Sequence, residues 1–307
     1  MARWRLFERI LRDCLESLNH EVFEMDIDFF LPELPPDPPE AEYRIYAHKT
    51  IRDVPTANLF YKEMYIHHLF TVDTEGWGIE HSGMKQPPDL SNVDAQEAEA
   101  FCRSLTSKLM STGHSKVVQP APQPVDPALK PYVLAPMQIP TDYVVRTHAP
   151  AGVPEFVDTV ADWAESRKQN VVLKLHPGRE FPELTDAANR RAQGSSYVSL
   201  VNANIHSLIA ESEGVIVFNS GTGFESLIHG KPVVTLGKAD YQWVTCRARM
   251  DGLDSAMHYI ASYTCEQRRE ACRFVKHYFT NHGFLVEPEA EPARTRLSEY
   301  LRKVLPS

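Results

Sequence analysis

Residues 218–237 read FNSGTGFESLIHGKPVVTLG, and this stretch decides the fold of the second half of the chain. It begins at the end of an apolar run (214–219), passes through a turn with two glycines, and continues as a short helix predicted over 223–229. A Gly-Lys-Pro break then ends the helix and leads into a second apolar run. A buried strand, a helix and another buried strand in this order predict a right-handed βαβ unit of a parallel sheet.

The turn inside this stretch has two interpretations. Ser220, Gly221, Thr222 and Gly223 lie where the strand passes into the helix. Free backbone N–H groups and the helix dipole favour an anion there, and glycine lets the anion come close. Alternatively, Thr222 and Glu225 have the spacing of a capping box, which satisfies the helix end without any ligand. The stretch alone leaves both interpretations open.

The same alternation extends through the rest of the second half. It predicts strands at 132–137, 171–175, 197–201 and 214–219. Helices are predicted at 153–169 and 204–213, and a further polar helical stretch follows the strand at 171–175 and ends at about residue 191. The first half is less regular, with helices predicted at 3–18, 56–66 and 93–111 and strands at 21–27, 43–48 and 67–73. We therefore predict an α/β protein whose two domains have parallel sheets. In such sheets ligands bind at the carboxyl ends of the strands, here in a cleft between the domains.

Proline-rich segments divide the chain. Residues 119–131 read QPAPQPVDPALKP, a composition that is typical of a semi-rigid linker. We therefore predict an N-terminal domain over 1–118, a C-terminal domain over 132–290, and a final helix within 291–307 that returns to the first domain. A second proline cluster at 31–42 interrupts the first half.

Composition and charge exclude several classes of protein. With 43% hydrophobic and 24% charged residues and a net charge of −9, the chain is typical of a soluble globular protein without a nucleic-acid surface. No apolar segment is long enough for a membrane span or a secretory signal, so we expect a cytoplasmic protein. The first helix is amphipathic and carries arginines. We expect it to pack on its own domain, with a peripheral contact to the inner membrane as the alternative.

The sequence predicts no metal site. The five cysteines are scattered and lack a CxxC pair, which indicates reduced thiols and no zinc. Asp26-Ile27-Asp28 matches a DxD pattern, but it lies far from any phosphate-type loop. We therefore expect no metal there.

A second candidate site element is LKLHPGRE (173–180), where a predicted strand ends at His176. A histidine at the carboxyl end of a parallel strand faces the ligand crevice, and its ring N–H can bind a phosphate. Pro177 stiffens the turn, and Lys174 or Arg179 adds positive charge. A histidine satisfied within its own loop is the alternative.

Two further stretches supply carboxylates. VLAPMQIPTDYVV (133–145) carries Gln138 and Asp142 after a strand, where Asp142 either lines the cleft or caps a turn. HHLFTVDTEGWGIEHSG (67–83) carries Asp73, Glu75, Trp77 and Glu80 after another strand. There Trp77 is either an aromatic surface for a sugar or a core residue.

Together these stretches resemble the bacterial capsule polysaccharide synthesis and retaining β-Kdo transferase family, which uses CMP-activated 3-deoxy-D-manno-oct-2-ulosonic acid (CMP-Kdo). The resemblance rests on LAPMQIPTD (134–142), LKLHP (173–177) and NSGTGFESLIHGKPVVTLGKADY (219–241), and DTEGWG (73–78) is a weaker match. It implies the GT-B architecture, in which two Rossmann-like domains face a cleft. It also implies catalysis without a metal or other cofactor.

The resemblance also implies roles for residues. The donor-binding residues are His176, Pro177, Ser220, Gly221, Thr222, Glu225, Gln138 and Lys231. Among them, Glu225 is expected to bind the ribose hydroxyls, and Lys231 is a further candidate for the phosphate. The retaining chemistry of the family places the nucleophile at Asp142 and the acid/base at Glu75, which is a double displacement.

The leading hypothesis is therefore a glycosyltransferase of bacterial surface polysaccharide synthesis. It transfers Kdo from CMP-β-Kdo, with retention, to a glycan or lipid-linked saccharide. Two alternatives stay open at this stage. One is a GT-B transferase that uses CMP-sialic acid or a UDP-sugar, and the other is a non-catalytic protein that binds sugar nucleotides.

Overall fold

The computed structural model describes residues 4–25, 41–286 and 291–305. The helices are α1 (Arg5–Ser17), α2 (Ala95–Thr112), α3 (Tyr143–His148), α4 (Val153–Arg167), α5 (Pro182–Gln193), α6 (Ile205–Glu211), α7 (Gly221–Ile228), α8 (Leu253–Ala261), α9 (Cys265–Asn281) and α10 (Glu291–Val304). The strands are β1 (Ile45–Ala47), β2 (Leu59–Glu63), β3 (Leu69–Asp73), β4 (Val133–Pro136), β5 (Val171–Lys174), β6 (Val198–Leu200), β7 (Gly214–Val217), β8 (Val233–Thr235), β9 (Cys246–Arg247) and β10 (Gly283–Leu285).

The chain forms two compact units. The first consists of the described residues of Met1–Met64, His68–Gln86 and Tyr278–Ser307, and the second of Tyr65–His67 and Pro87–His277. This division differs from the predicted domains, because α2 packs on α6 and α7 and so belongs to the second unit. Composition marks the proline-rich segment, but packing decides where a unit ends.

The second unit contains a six-stranded sheet in the order β6-β5-β4-β7-β8-β9. Every neighbouring pair in it is parallel. Numbered along the chain, this is the order 3-2-1-4-5-6 of a Rossmann-type sheet. The α/β class and the parallel sheet predicted for the second half are confirmed.

Both faces of this sheet are covered by helices. On one face, alternate strand residues such as Val171 and Leu173 join a core with α4, α5 and α8. The other residues of the strands, such as Val172, are equally buried. Because side chains alternate along a strand, these residues face the opposite side of the sheet, where α6 and α7 lie.

The first unit contains a four-stranded sheet in the order β1-β2-β3-β10. Its β1–β2 pair is parallel, but β2–β3 and β3–β10 are antiparallel. The prediction of a parallel sheet in this half was therefore wrong. Residues 56–66 were predicted as a helix, yet Leu59–Glu63 form the fully buried strand β2. A short apolar run has no period that separates a buried strand from a buried helix.

Helices α1 and α10 pack on this first sheet. Phe7 of α1 stacks on Phe70 of β3 with ring centroids 4.2 Å apart, and Arg294 of α10 lies 2.9 Å from Asp13 of α1. The apolar side of α1 is thus buried in its own unit, which is the packing expected for this helix. Among the described residues, no helix is long and apolar enough to cross a membrane.

Some predictions fall on other parts of the chain. The DxD pattern at 26–28 and most of the proline cluster at 31–42 lie outside the described residues. The strand predicted over 21–27 is not formed at residues 21–25, the part of it that the structure describes.

Candidate functional site

The carboxyl ends of β4 and β7 meet at the centre of the parallel sheet, where the strand order reverses. Gln138 follows β4 and Asn219 follows β7, and the two side chains join these ends. The Gln138 amide donates to Asn219 Oδ1 at 2.9 Å and accepts from the Asn219 backbone N–H at 3.2 Å. Asn219 in turn donates to the Val144 carbonyl at 2.9 Å. Gln138 therefore fixes the strand ends, and the donor-binding role predicted for it is not needed to explain its position.

Helix α7 begins at this point, two residues earlier than predicted. Its N-cap is Ser220, whose hydroxyl accepts from the Thr222 N–H at 3.2 Å. The capping box predicted from Thr222 and Glu225 is therefore wrong, because Glu225 lies in the second turn of the helix. The helix start is capped by a residue that the predicted boundary had placed outside it.

The two glycines of the turn have different roles. A Cβ atom on Gly223 would lie 2.4 Å from Tyr241 Oη, so close packing on Tyr241 requires this glycine. A Cβ atom on Gly221 would have Tyr65 Cδ1 as its nearest neighbour, at an ordinary 3.4 Å. Protein packing therefore explains Gly223 and leaves Gly221 unexplained. Gly221 is partly exposed at the helix start, where an anion is stabilised.

Glu225 is enclosed in the second unit. Its side chain is 2% exposed, and its carboxyl group is hydrogen-bonded to Ser115 and lies near Lys116. The His206 ring is 3.8 Å away, measured from Nε2 to Oε1. Burial raises the pKa of Glu225 to about 7, against the weaker opposing effects of Ser115 and Lys116. Glu225 therefore carries a proton for part of the time near neutral pH.

Two histidines continue this buried cluster. His206 Nε2 donates to the His114 carbonyl at 2.8 Å, so its Nδ1 is unprotonated and accepts from His229 Nε2 at 3.1 Å. Burial lowers the pKa of His206 to about 4. Burial, together with the neighbouring His206 and Lys231, lowers the pKa of His229 to about 3. Both rings are neutral at physiological pH.

The segment 113–120 lies on the second unit and closes over this cluster. Asn204 donates to the carbonyls of Gly113 and Pro120 at 2.9 and 2.8 Å. The segment carries Ser115 and Lys116 to Glu225, and sequence reasoning missed both residues. Their signal was a polar His-Ser-Lys triplet just before the prolines, which resembled the start of a linker.

His176 follows β5 at the same edge of the sheet. Its Nδ1 accepts from the Gly178 N–H at 3.1 Å, which leaves the ring proton on Nε2 as a donor. Burial lowers the pKa of His176, and Lys116 and Lys174 lower it further, while Asp142 opposes them. The structure thus brings His176 together with two lysines and Asp142. A neutral, Nε2-protonated imidazole beside two ammonium groups is suited to a phosphate.

Asp142 is the N-cap of α3, and its Oδ1 accepts from the Val144 N–H at 3.3 Å. The turn-capping interpretation is correct, and it uses one of the two carboxylate oxygens. Lys231 lies away from this edge. It precedes β8, and its Nζ donates to the Ser212 carbonyl at 2.8 Å. The amino end of β8 is the wrong end of the sheet for a phosphate bound at α7, so Lys231 is not part of the candidate site.

The predicted residues of the first unit surround Asp73. Its Oδ1 accepts from the backbone N–H groups of Glu75, Gly76 and Ser82 at 2.9–3.1 Å, and its Oδ2 accepts from the Ser82 hydroxyl at 2.5 Å. The His81 ring lies 3.5 Å from Oδ2. Asp73, which is 2% exposed, therefore organises this turn from inside.

In this turn Glu75 is partly exposed and Trp77 is buried. Glu75 forms an ion pair with Lys85. Trp77 is 4% exposed, with Lys62 Nζ 3.1 Å from its ring centroid. Trp77 is therefore a core residue, and the sugar-binding surface suggested for it is absent. Over the described part of the chain, no group of three or more His, Cys, Asp or Glu side chains is arranged to hold a metal ion.

Comparison with known families identifies this chain. The family model for the capsule polysaccharide biosynthesis protein matches residues 92–271, which is more than half of the 307 residues. The chain belongs to the capsule polysaccharide biosynthesis family. The matched region contains α7, His176, Asp142 and the segment that carries Lys116. The resemblance stated from the sequence is confirmed at this level.

The chain is also similar to one curated protein. Protein FixF of Sinorhizobium fredii is 32% identical over 169 residues, which cover 51% of this chain. The match spans 40% of the length of that relative.

Solved structures include distant likenesses. The β-Kdo 2,7 transferase of Thermosulfurimonas dismutans KpsC is 16% identical, covers 83% of this chain and 84% of its own, and has a TM-score of 0.47. The β-Kdo 2,4 transferase of the same protein is 15% identical, covers 73% of each chain, and has a TM-score of 0.43. Staphylococcus aureus MnaA with UDP is 12% identical, covers 59% and 49%, and has a TM-score of 0.38.

Proposed function

We propose that this protein is a glycosyltransferase of bacterial surface polysaccharide synthesis. Its donor is CMP-β-Kdo, its acceptor is a glycan or lipid-linked saccharide, and the transfer proceeds with retention and without a metal. The family to which the chain belongs supports the pathway, and the sequence likeness at 134–142, 173–177 and 219–241 supports the donor. The GT-B arrangement of two domains belongs to the same proposal.

One observation carries this proposal. At the carboxyl edge of a Rossmann-ordered sheet, the start of α7 lies beside strand ends that bear His176, Lys174 and Asp142. The His176 Nε2–H and the Gly221 N–H at the start of α7 are the donors proposed for the phosphate, and Ser220 and Thr222 add hydroxyl groups. A phosphate held there becomes a better leaving group, because these donors stabilise the charge that develops on it.

In the proposed reaction the carboxylates of Asp142 and Glu75 carry out a double displacement. Asp142 attacks the anomeric carbon, and the bond from that carbon to the phosphate oxygen of CMP breaks with its electron pair on CMP. The acceptor hydroxyl then attacks the same carbon and displaces Asp142, while the hydroxyl proton passes to Glu75. Two inversions at one carbon give net retention.

Glu225 is the residue that this scheme assigns to the ribose of the donor. Its carboxyl group lies beside Ser115 and Lys116, and the ribose of the donor is the partner that the family likeness suggests. Binding there requires the ribose to reach a group that is now enclosed by the segment 113–120.

Isothermal titration with CMP, UDP and GDP tests the donor class. We expect CMP to bind in the micromolar to millimolar range and the other two nucleotides to bind more weakly. Incubation with CMP-Kdo and a saccharide acceptor, followed by NMR of the product, tests the reaction and its stereochemistry. Binding of UDP without binding of CMP would overturn the Kdo proposal, and an inverted product would overturn the double displacement.

A further inference from the structure

Lys174 is a buried amine at the carboxyl end of β5. Its side chain is 2% exposed. Val171 and Leu173 of the same strand enter the core on the α4 side. Lys174 alternates with them and so faces the opposite side of the sheet, where α6 and α7 lie. Among the described residues, no atom accepts a hydrogen bond from its Nζ.

A buried ammonium without an acceptor is unfavourable in a folded protein. Burial lowers the pKa of Lys174, so the protein itself disfavours the charge. His176 interacts electrostatically with Lys174 and Lys116 and, in the opposite sense, with Asp142. For Lys174 itself, burial is the cause of the lowered pKa, and no carboxylate of the described residues counteracts it.

Lys231 provides a contrast within the same unit. It is partly buried, and burial lowers its pKa as well. Its Nζ nevertheless has an acceptor, the Ser212 carbonyl at 2.8 Å. The fold thus supplies a partner for a partly buried lysine where the lysine is structural. At Lys174 that partner is missing, and the site lies at the ligand edge of the sheet.

We propose that Lys174 is the cation of an anion subsite, whose occupant is an acidic group on the anomeric carbon of the donor sugar. This inference rests on the proposed function and deepens it. An ulosonic acid donor carries two anions on the same carbon, a carboxylate and the phosphate of CMP. Two adjoining subsites are therefore needed. His176 and the start of α7 serve one of them, and Lys174, the last residue of β5 and two residues before His176, serves the other.

The subsite gives the enzyme a means of selecting its donor. A neutral sugar donor brings one anion and leaves the Lys174 ammonium uncompensated in the bound state. The carboxylate of an ulosonate donor compensates the charge and accepts hydrogen bonds from the Lys174 ammonium, which has three N–H donors. Discrimination arises because a buried polar group left unpaired is costly, more than because a contact is gained.

The experiment compares the wild type with K174M, which keeps the length of the side chain and removes the amine. K231M is the matched control for a partly buried lysine, and K174Q is a second variant should K174M fold poorly. Thermal unfolding of each protein is followed without ligand and with CMP, CMP-Kdo, free Kdo or inorganic phosphate. Titration then gives dissociation constants for the same ligands.

Without ligand, K174M is expected to unfold at the same temperature as the wild type or higher, because an unpaired buried amine has been removed. K231M is expected to unfold at a lower temperature. With CMP-Kdo, the ligand-induced rise in melting temperature is expected to be largely lost in K174M. Its dissociation constant should increase about 10- to 100-fold, the usual consequence of losing a charge-assisted hydrogen bond.

The ligands distinguish the source of the anion. Weaker binding of CMP-Kdo and free Kdo, with CMP unchanged, assigns the carboxylate to Lys174. Weaker binding of CMP and inorganic phosphate assigns the phosphate, and either result supports the subsite. Unchanged affinity for all four ligands overturns it, as does a K174M protein as destabilised as K231M. Failure of the wild type to bind CMP or CMP-Kdo, with phosphate binding still lost in K174M, would instead reject the donor and keep the subsite.

Discussion

The turn around Asp73 and the carboxyl edge of the parallel sheet contain the same kinds of polar residues but use them differently. In the turn, backbone N–H groups and the Ser82 hydroxyl converge on the Asp73 carboxylate. At the sheet edge, Lys174 Nζ has no acceptor among the described residues, and Gly221 leaves space that no packing requires.

This difference distinguishes polar residues that stabilise the fold from polar residues that are available to a ligand. A buried polar group that is satisfied within its own turn stabilises the fold. One that the fold leaves unsatisfied costs stability until something binds. By this criterion Asp73 is a structural residue, while Glu75 of the same turn is partly exposed. The start of α7 and the end of β5 form the proposed binding site.

The largest effect is expected from D142N. Asparagine retains the N-cap of α3, because its side-chain oxygen still accepts from Val144, but it is not a nucleophile. We expect transfer from CMP-Kdo to fall about 1,000-fold or more, while the melting temperature and the affinity for CMP stay close to those of the wild type. Steady-state kinetics and calorimetry measure these quantities. Unchanged turnover would remove Asp142 from the mechanism.

On the other side of the comparison, D73A is expected to destabilise the first unit by about 3 kcal/mol or more, because three backbone donors lose their acceptor. D73N is the control, since it keeps an oxygen in place and should lose much less. Denaturant unfolding measures both variants, and CMP affinity should not change. If D73A bound CMP more weakly yet unfolded normally, the turn would belong to the binding site and the comparison would fail.

Asp73 also predicts a pH dependence. Burial raises its pKa, but the His81 ring and the hydrogen bonds from Ser82 and Glu75 outweigh burial, so the pKa is lowered overall. A lowered carboxyl pKa contributes stability that is fully present above the unfolded value of about 3.9. That stability is lost as the pH falls through the folded value. Acid unfolding of D73N should therefore lack this part of the transition.

Glu225 is expected to give a pH dependence of stability opposite to that of Asp73. Its raised pKa, about 7, means that the folded state binds more protons than the unfolded state between about pH 4.5 and 7. Stability therefore falls as the pH rises through this window, by on the order of 3 kcal/mol at most. E225Q should remove this slope in unfolding measured at each pH.

His206 and His229, whose pKa values are lowered, give the contrary slope. Both rings are neutral in the folded state, but in the unfolded state they take up protons below about pH 6.5. Their contribution to the stability of the fold is therefore present above that pH and is lost as the pH falls through about 4 and 3. Both rings are present in the wild type and in E225Q. The difference between the two proteins therefore isolates Glu225. A difference that is flat across the window would mean that the carboxyl group is already ionised in the fold.

H176A tests the phosphate donor. We expect the affinity for CMP to fall about 10- to 100-fold, because one hydrogen bond to a charged group is lost. H258A, at an exposed histidine of α8, is the control. Because the pKa of His176 is lowered, its neutral ring should bind CMP equally well at pH 7 and 8. An affinity that rises steeply as the pH falls from 8 to 7 would indicate an imidazolium instead.

Substitutions of Gly221 and Gly223 should have the smallest effects, and they should separate an effect on stability from an effect on CMP binding. G223A brings a Cβ atom within 2.4 Å of Tyr241 Oη and should cost stability, about 1–3 kcal/mol. G221A has room within the protein and should unfold normally, but its methyl group lies where the phosphate approaches. We expect it to weaken CMP binding several-fold. Thermal unfolding and titration of both variants measure this, and identical behaviour would show that one role covers both glycines.

Much of the second unit was predictable from the sequence because each element is marked locally. Strands such as Gly214–Val217 are continuous apolar runs, helices such as the one predicted over 153–169 have a clear period, and glycine and proline separate them. In the first half the same signals failed at 56–66, because a fully buried strand and a buried helix are equally apolar. The antiparallel pairing around that strand was missed for the same reason.

The sequence by itself determined the α/β class, the parallel sheet of the second unit and the candidate edge at His176 and α7. These depend on periodicity and on turn residues that lie close together along the chain. Only the tertiary structure decided that Ser220 caps α7, that Lys231 lies at the other end of the sheet, and that 113–120 joins Glu225 to Lys116. Hydrogen bonding and burial between distant segments settle such questions. The unpaired state of Lys174 is a property of the surrounding fold, which no local pattern encodes.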